Sequence, residues 1–141
     1  MPRTPKSRTP ATVCAVSLGG GLGAAARYAA ARLWPVAPGG FPWTTLTVNI
    51  VGCLAMGALA TVLTEVWPAR PLARPFLATG VLGGFTTFST YVVDSQGLLG
   101  DGRAAAGLAC TVLTPLTAVA AAWSGARAVR LLLPGREWAR A

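Results

Sequence analysis

The run Gly80-Val81-Leu82-Gly83-Gly84-Phe85-Thr86-Thr87-Phe88-Ser89-Thr90-Tyr91 limits what this chain can become more than any other stretch. Three glycines and a string of hydroxyl and aromatic side chains make a poor continuous helix. In water such a run would be a surface loop. Its flanks say otherwise: Pro75 to Leu82 and Val92 to Leu99 are apolar and read as two halves of one membrane span. Irregular backbone at membrane depth is tolerated only where protein buries it or it borders a polar cavity. The run is therefore a candidate functional site on physical grounds alone.

The composition supports the bilayer as solvent. Charged residues are 11% of the 141, against roughly 25% in soluble domains, and the AVILMFWYC set reaches 53%. A net charge of +8 on a soluble face would suggest nucleic acid. Here the arginines lie between and beyond apolar segments, which fits an anionic membrane leaflet better. No histidine occurs, and Cys14, Cys53 and Cys110 stand far apart inside apolar stretches. Metal-site and Cys-His chemistry therefore have no donor set, and the cysteines read as small buried hydrophobes.

Four spans follow in order. Residues 1–11 form a basic tail that could pass for the start of a secretory signal, but the apolar run behind it is too long and too glycine-rich. Segment one covers about Thr12 to Trp34, enough to cross a core of roughly 30 Å. Its Gly19, Gly20, Gly21 and Gly23 permit close helix packing. Arg27 near its far end is either an interfacial anchor or a charge facing a polar vestibule. A loop with Pro35, Pro38, Gly39, Gly40 and Pro42 predicts a turn between neighbouring antiparallel helices.

Segment two, about Trp43 to Val66, carries Asn49 in mid-span, where an amide needs a protein partner or a pore. Glu65 at its end reads as solvated. Segment three runs from Pro75 to about Leu99 and holds the opening run, with Asp94 toward its exit. Segment four, about Ala104 to Ala126, contains Pro115, expected to kink it, and Thr111, Thr114 and Thr117, expected to bond back to the helix backbone. Residues 127–141 form a second basic tail.

With four spans, both tails and the second loop share one side. That side holds Arg3, Lys6, Arg8, Arg70, Arg74, Arg127, Arg130, Arg136 and Arg140, while Arg27, Arg32 and Arg103 belong to the other. The positive-inside rule then places both termini in the cytoplasm of a plasma-membrane protein.

Three motifs together resemble the CrcB/Fluc fluoride channel family: the glycine-rich first span ending in Ala26-Arg27-Tyr28, Thr45-Leu46-Thr47-Val48-Asn49-Ile50-Val51-Gly52, and Gly83-Gly84-Phe85-Thr86-Thr87-Phe88-Ser89-Thr90. The resemblance covers residues 13–126. It implies an all-α, integral membrane four-helix bundle over 12–126 with a broken third helix, associating as an antiparallel dimer of small subunits with two fluoride pores. It implies a structural Na+ at the dimer centre, held by the backbone carbonyls of Gly83 and Thr86. By the same resemblance the ion pathway falls on Asn49, Phe88 and the hydroxyls of Thr87, Ser89, Thr90 and Thr114. The family's second pore phenylalanine falls at Tyr91, and Cys110 stands where its fourth helix often carries a tyrosine.

The residue types suit that chemistry. Fluoride is small and strongly hydrated, so a pore must replace water with close donors, and amide and hydroxyl groups supply them. An aromatic edge is electropositive and attracts an anion without a full charge that would trap it. Phe88 and Tyr91, three apart, are neighbours on one helix face.

A proton-coupled multidrug exporter would want a carboxylate deep in a span, whereas Glu65 and Asp94 lie toward segment ends. An enzyme would want a nucleophile–base pair or metal set. A third reading is a non-conducting partner subunit that completes a channel. The charge asymmetry bears on it: a chain with one preferred orientation needs a homologous partner of opposite topology to build an antiparallel pair.

Overall fold

The computed structural model describes residues 9–66 and 71–133, and the ordered backbone there is helical, with no strand among them. Helix α1 spans Thr9–Leu33 and α2 Trp43–Glu65; a π-helix, Arg74–Leu82, runs into a single turn, α3, Gly83–Phe85; α4 is Ser89–Gly100 and α5 Ala104–Leu132. Helices α1, α2, α5 and the combined stretch Arg74–Gly100 are each long and apolar enough to cross a membrane. Arg3, Lys6, Arg8, Arg70, Arg136 and Arg140, six of the residues behind the expected orientation, lie outside the described residues.

The segment limits hold closely except at the ends. Helix α1 begins at Thr9, within the expected tail, and α5 continues to Leu132, six residues past Ala126. No proline or glycine interrupts that extension after Gly125, and Arg130 in the last turn favourably faces the negative end of the helix dipole. Pro115 lies inside α5, which remains one helix.

Helix α4 ends in a Schellman motif: Gly102 has φ +75°, its N–H bonds the Leu99 carbonyl at 3.1 Å, and the Arg103 N–H bonds Leu98 at 2.9 Å. Only glycine adopts that backbone without strain, so the sharp α4–α5 turn is written in Asp101-Gly102.

Packing departs from the expected order of neighbours. Helices α1 and α2 barely touch; α1 lies against the π-helix and α3, while α2 lies against α5, which also packs on α4. Small residues choose these pairs. A Cβ on Gly23 would run into the Val81 carbonyl, and one on Gly84 into the Gly20 carbonyl. On the other pair, Gly57 meets the Ala122 backbone and Gly125 the Leu54 backbone. Backbones this close gain dispersion contacts that lipid cannot supply.

The surface follows the same logic. Leu18, Leu22, Leu108, Leu116, Val119 and Trp123 are exposed, whereas the buried hydrophobic set is small, with Tyr91, Leu98 and Cys110 forming one cluster. An apolar exterior around a thin core suits lipid rather than water. Of the cysteines only Cys110 is fully buried; Cys14 lies on the outer face of α1, not in a core. The protein is a multi-pass membrane protein.

Candidate functional site

The interruption in the third span is the centre of the site. Thr86 is extended, with φ −74° and ψ 157°, between the end of α3 and the start of α4. Asn49, on α2 and 4% exposed, holds this backbone from both sides. Its Nδ2 donates to the Thr87 carbonyl at 2.9 Å, and its Oδ1 accepts the Thr87 N–H at 2.8 Å. Gly52, one turn along α2, makes room for this approach, since a Cβ there would strike Thr86 and Phe85.

The sequence anticipated a partner for Asn49; it did not indicate that the partner is backbone. One Nδ2 hydrogen remains beyond the bond to Thr87.

The pairing redirects the helix's own hydrogen bonds. Thr87 N–H, which would close an α-turn onto Gly83, goes to Asn49 instead. Thr90 N–H, which would close onto Thr86, is 3.2 Å from the Thr87 hydroxyl, and that hydroxyl also shares a 2.9 Å hydrogen bond with the Thr90 hydroxyl. Thus the carbonyls of Gly83 and Thr86 are released from their ordinary helical donors, and Thr87 caps α4.

Two cavities flank the interruption. A groove of roughly 470 Å³ is lined by Asn49, Cys53, Gly83, Thr86, Thr87, Phe88, Tyr91 and Thr114 with Pro115, Ala118 and Val119 of α5. Every side chain in that lining is neutral. Phe88 is 72% exposed on its rim, while Tyr91 is 7% exposed, and their rings meet edge to face with centroids 5.0 Å apart.

Thr114 is 2% exposed; its hydroxyl lies 4.0 Å from the Cys110 sulfur, whereas Thr111 and Thr117 do bond back to their own helix, at 2.9 and 2.7 Å. Of the three threonines, the buried one is the one that turns to the site.

The second cavity, roughly 520 Å³, opens where α1 and α2 splay apart. Arg27, Thr45, Thr87, Thr90, Asp94 and Asp101 border it, so Thr87 touches both spaces. Arg27 is half-buried and its Nε donates to the Gly84 carbonyl at 3.2 Å, tying α1 to the interrupted span. Arg27 thus borders this cavity and reaches the backbone of the third span.

Thr45 donates to Asp94 Oδ2 at 2.8 Å, a contact that the sequence reading missed. Ser89 is exposed and borders neither cavity. Glu65, expected in solvent, is largely covered and ion-paired with Arg130 at 3.3 Å, because the extra turns of α5 bring that arginine beside the end of α2.

Residues 14–126 match the family model described as CrcB-like protein, Camphor Resistance (CrcB). The chain belongs to the CrcB family. Among curated CrcB relatives, fluoride-specific ion channel FluC 1 of Streptomyces coelicolor is 59% identical over 131 residues, 92% of this chain and 85% of that protein. Fluoride-specific ion channel FluC 2 of Nocardia farcinica is 46% identical over 121 residues, 86% of each. These CrcB relatives are named as ion channels, and the family is one of channels rather than enzymes.

Proposed function

We propose that this chain is a subunit of a fluoride-selective channel through which cytoplasmic fluoride leaves passively, giving fluoride resistance. The observation that carries the reading is the Asn49–Thr87 pairing, which keeps the third span open beside a groove of neutral donors. Family membership supplies the ion.

Fluoride entering the groove exchanges water for the remaining Asn49 N–H and the Thr114 hydroxyl, with the edge of Phe88 as a weaker electropositive contact. Neutral donors hold the ion closely enough to replace hydration and weakly enough to release it. On the other side of Thr87, the Thr87 and Thr90 hydroxyls and the Arg27 guanidinium offer donors to an anion at the vestibule's inner end, while Asp94 and Asp101 on the same lining oppose it. Ser89, outside both cavities, belongs to the pathway only if a second subunit covers it.

The carbonyls of Gly83 and Thr86 fit a structural Na+, since their usual helical donors are engaged elsewhere. Gly83 is exposed on the open side of the groove, as is Phe88, so both await a second wall. An antiparallel partner supplies that wall, and the charge bias of this chain favours a homologous subunit of opposite topology over a second copy. Both termini of this subunit then face the cytoplasm of the plasma membrane. A non-conducting role, in which this chain only completes the partner's pore, is the second reading, because Tyr91 and Cys110 depart from the family pattern.

The test is fluoride-electrode efflux from liposomes holding the chain alone and with a homologue of reversed Lys/Arg distribution. Fluoride efflux with the partner and little without it supports the reading. Absence of fluoride efflux in both removes the channel, and full-rate efflux from the chain alone removes the need for a partner.

A further inference from the structure

Tyr91 carries a polar group that the fold leaves without an account. Its side chain is more than nine-tenths buried, borders the groove, and is held edge-on by Phe88. The Tyr91 carbonyl accepts from Ser95 Oγ at 2.7 Å and from the Cys110 thiol at 3.8 Å, yet no described protein group bonds its phenolic oxygen.

That oxygen is not sealed in either: among the described residues the one fully enclosed side-chain oxygen or nitrogen without a partner is Glu65 Oε2. A phenol buried to this degree normally finds a hydrogen-bond partner. The cavity that the residue borders is the groove. Cys110, 0% exposed behind it on α5, is small enough to let α4 and this ring seat at that depth.

We propose that the Tyr91 O–H is a specificity-determining donor of the groove, hydrogen-bonding a small, strongly accepting monovalent anion, fluoride before chloride. The inference rests on the channel reading and sharpens it: the phenolic hydroxyl of Tyr91, rather than its ring edge, acts on the ion. A phenol is a better donor than an aliphatic alcohol, and its reward is greatest for the halide that accepts hydrogen bonds best. The rigid ring, fixed by Phe88 and by the α4–α5 contact, presents the donor at one position, which favours a small ion over a larger one.

The experiment compares the wild-type assembly and Tyr91→Phe in liposomes, measuring fluoride and chloride efflux, with thermal unfolding and dimer content of the same preparations. Tyr91→Phe removes an oxygen with no partner among the described residues, so folding and assembly are expected to stay unchanged. Fluoride efflux is expected to fall about tenfold, the size of one charge-assisted hydrogen bond, and fluoride-over-chloride selectivity to narrow.

Wild-type rate and selectivity in Tyr91→Phe, while the wild type conducts, would overturn the proposal and leave the channel intact. Reduced dimer content with unchanged efflux per assembled channel would also overturn it, placing the hydroxyl against the partner. A wild-type assembly that passes no fluoride removes the channel reading itself.

Discussion

Replacing Asn49 with alanine removes both hydrogen bonds that hold the Thr87 backbone, at a site only 4% exposed. A buried polar group left without its partner costs about 1–3 kcal/mol, and two groups are stranded. One has an escape: the Thr87 N–H can turn back to Gly83 and close the helix. The net loss is therefore expected at about 1–3 kcal/mol, the cost of the one group left stranded, rather than the full sum.

Closing the helix would also reclaim the Gly83 carbonyl and draw Thr87 away from the groove, so efflux should fall more than stability does. Asn49→Asp is the useful comparison. It keeps an acceptor for the Thr87 N–H but sets a second oxygen against the Thr87 carbonyl and a negative charge in the proposed anion path.

The assay is thermal unfolding of the assembly in detergent, amide hydrogen exchange at Thr87, and fluoride efflux in liposomes. Alanine is expected to lower the midpoint and change Thr87 exchange; aspartate is expected to abolish efflux with a smaller loss of stability. An Asn49→Ala channel with wild-type midpoint, Thr87 protection and efflux would refute the account of the interruption.

Phe88→Ile should leave the subunit folded, because the ring is 72% exposed there, yet slow fluoride efflux; unchanged flux through every pore would remove Phe88 from the pathway. Gly23→Ala should disrupt the α1 contact with α3 and lower expression of folded protein, since its Cβ would meet the Val81 carbonyl. By contrast Gly21→Ala meets nothing within 4 Å and should be neutral or stabilising by up to about 1 kcal/mol, as thermal unfolding would read. Arg27→Lys keeps the charge but loses the Nε bond to Gly84, and should slow efflux with the same sign at every fluoride concentration; efflux equal to wild type would make Arg27 a simple interfacial anchor.

Much of this protein is legible in one dimension. Each of the four spans declares itself by length and apolar content, because the choice between lipid and water depends on properties summed over about twenty residues. The position of the interruption is legible too, since Gly83-Gly84 and the following hydroxyl and aromatic run disfavour helix locally. So is the α4–α5 turn at Gly102.

The π-helix from Arg74 to Leu82 had no such signal; it lies against α1, where Gly19 and Gly23 admit the opposing backbone.

What tertiary structure alone decided is who meets whom. A small-residue stripe says that a helix can approach another closely but does not name the other, and α1 chose the π-helix over its sequence neighbour α2. That choice opens the vestibule between α1 and α2. Hydrogen-bond partners 38 and 57 residues apart, Asn49 with Thr87 and Arg27 with Gly84, leave no periodic trace in the chain. The sequence by itself determined that this chain crosses a membrane and where its third span must fail. Only the fold determined that an amide from α2 holds that failure open, because satisfying a stranded backbone group depends on distance in space, not on separation along the chain.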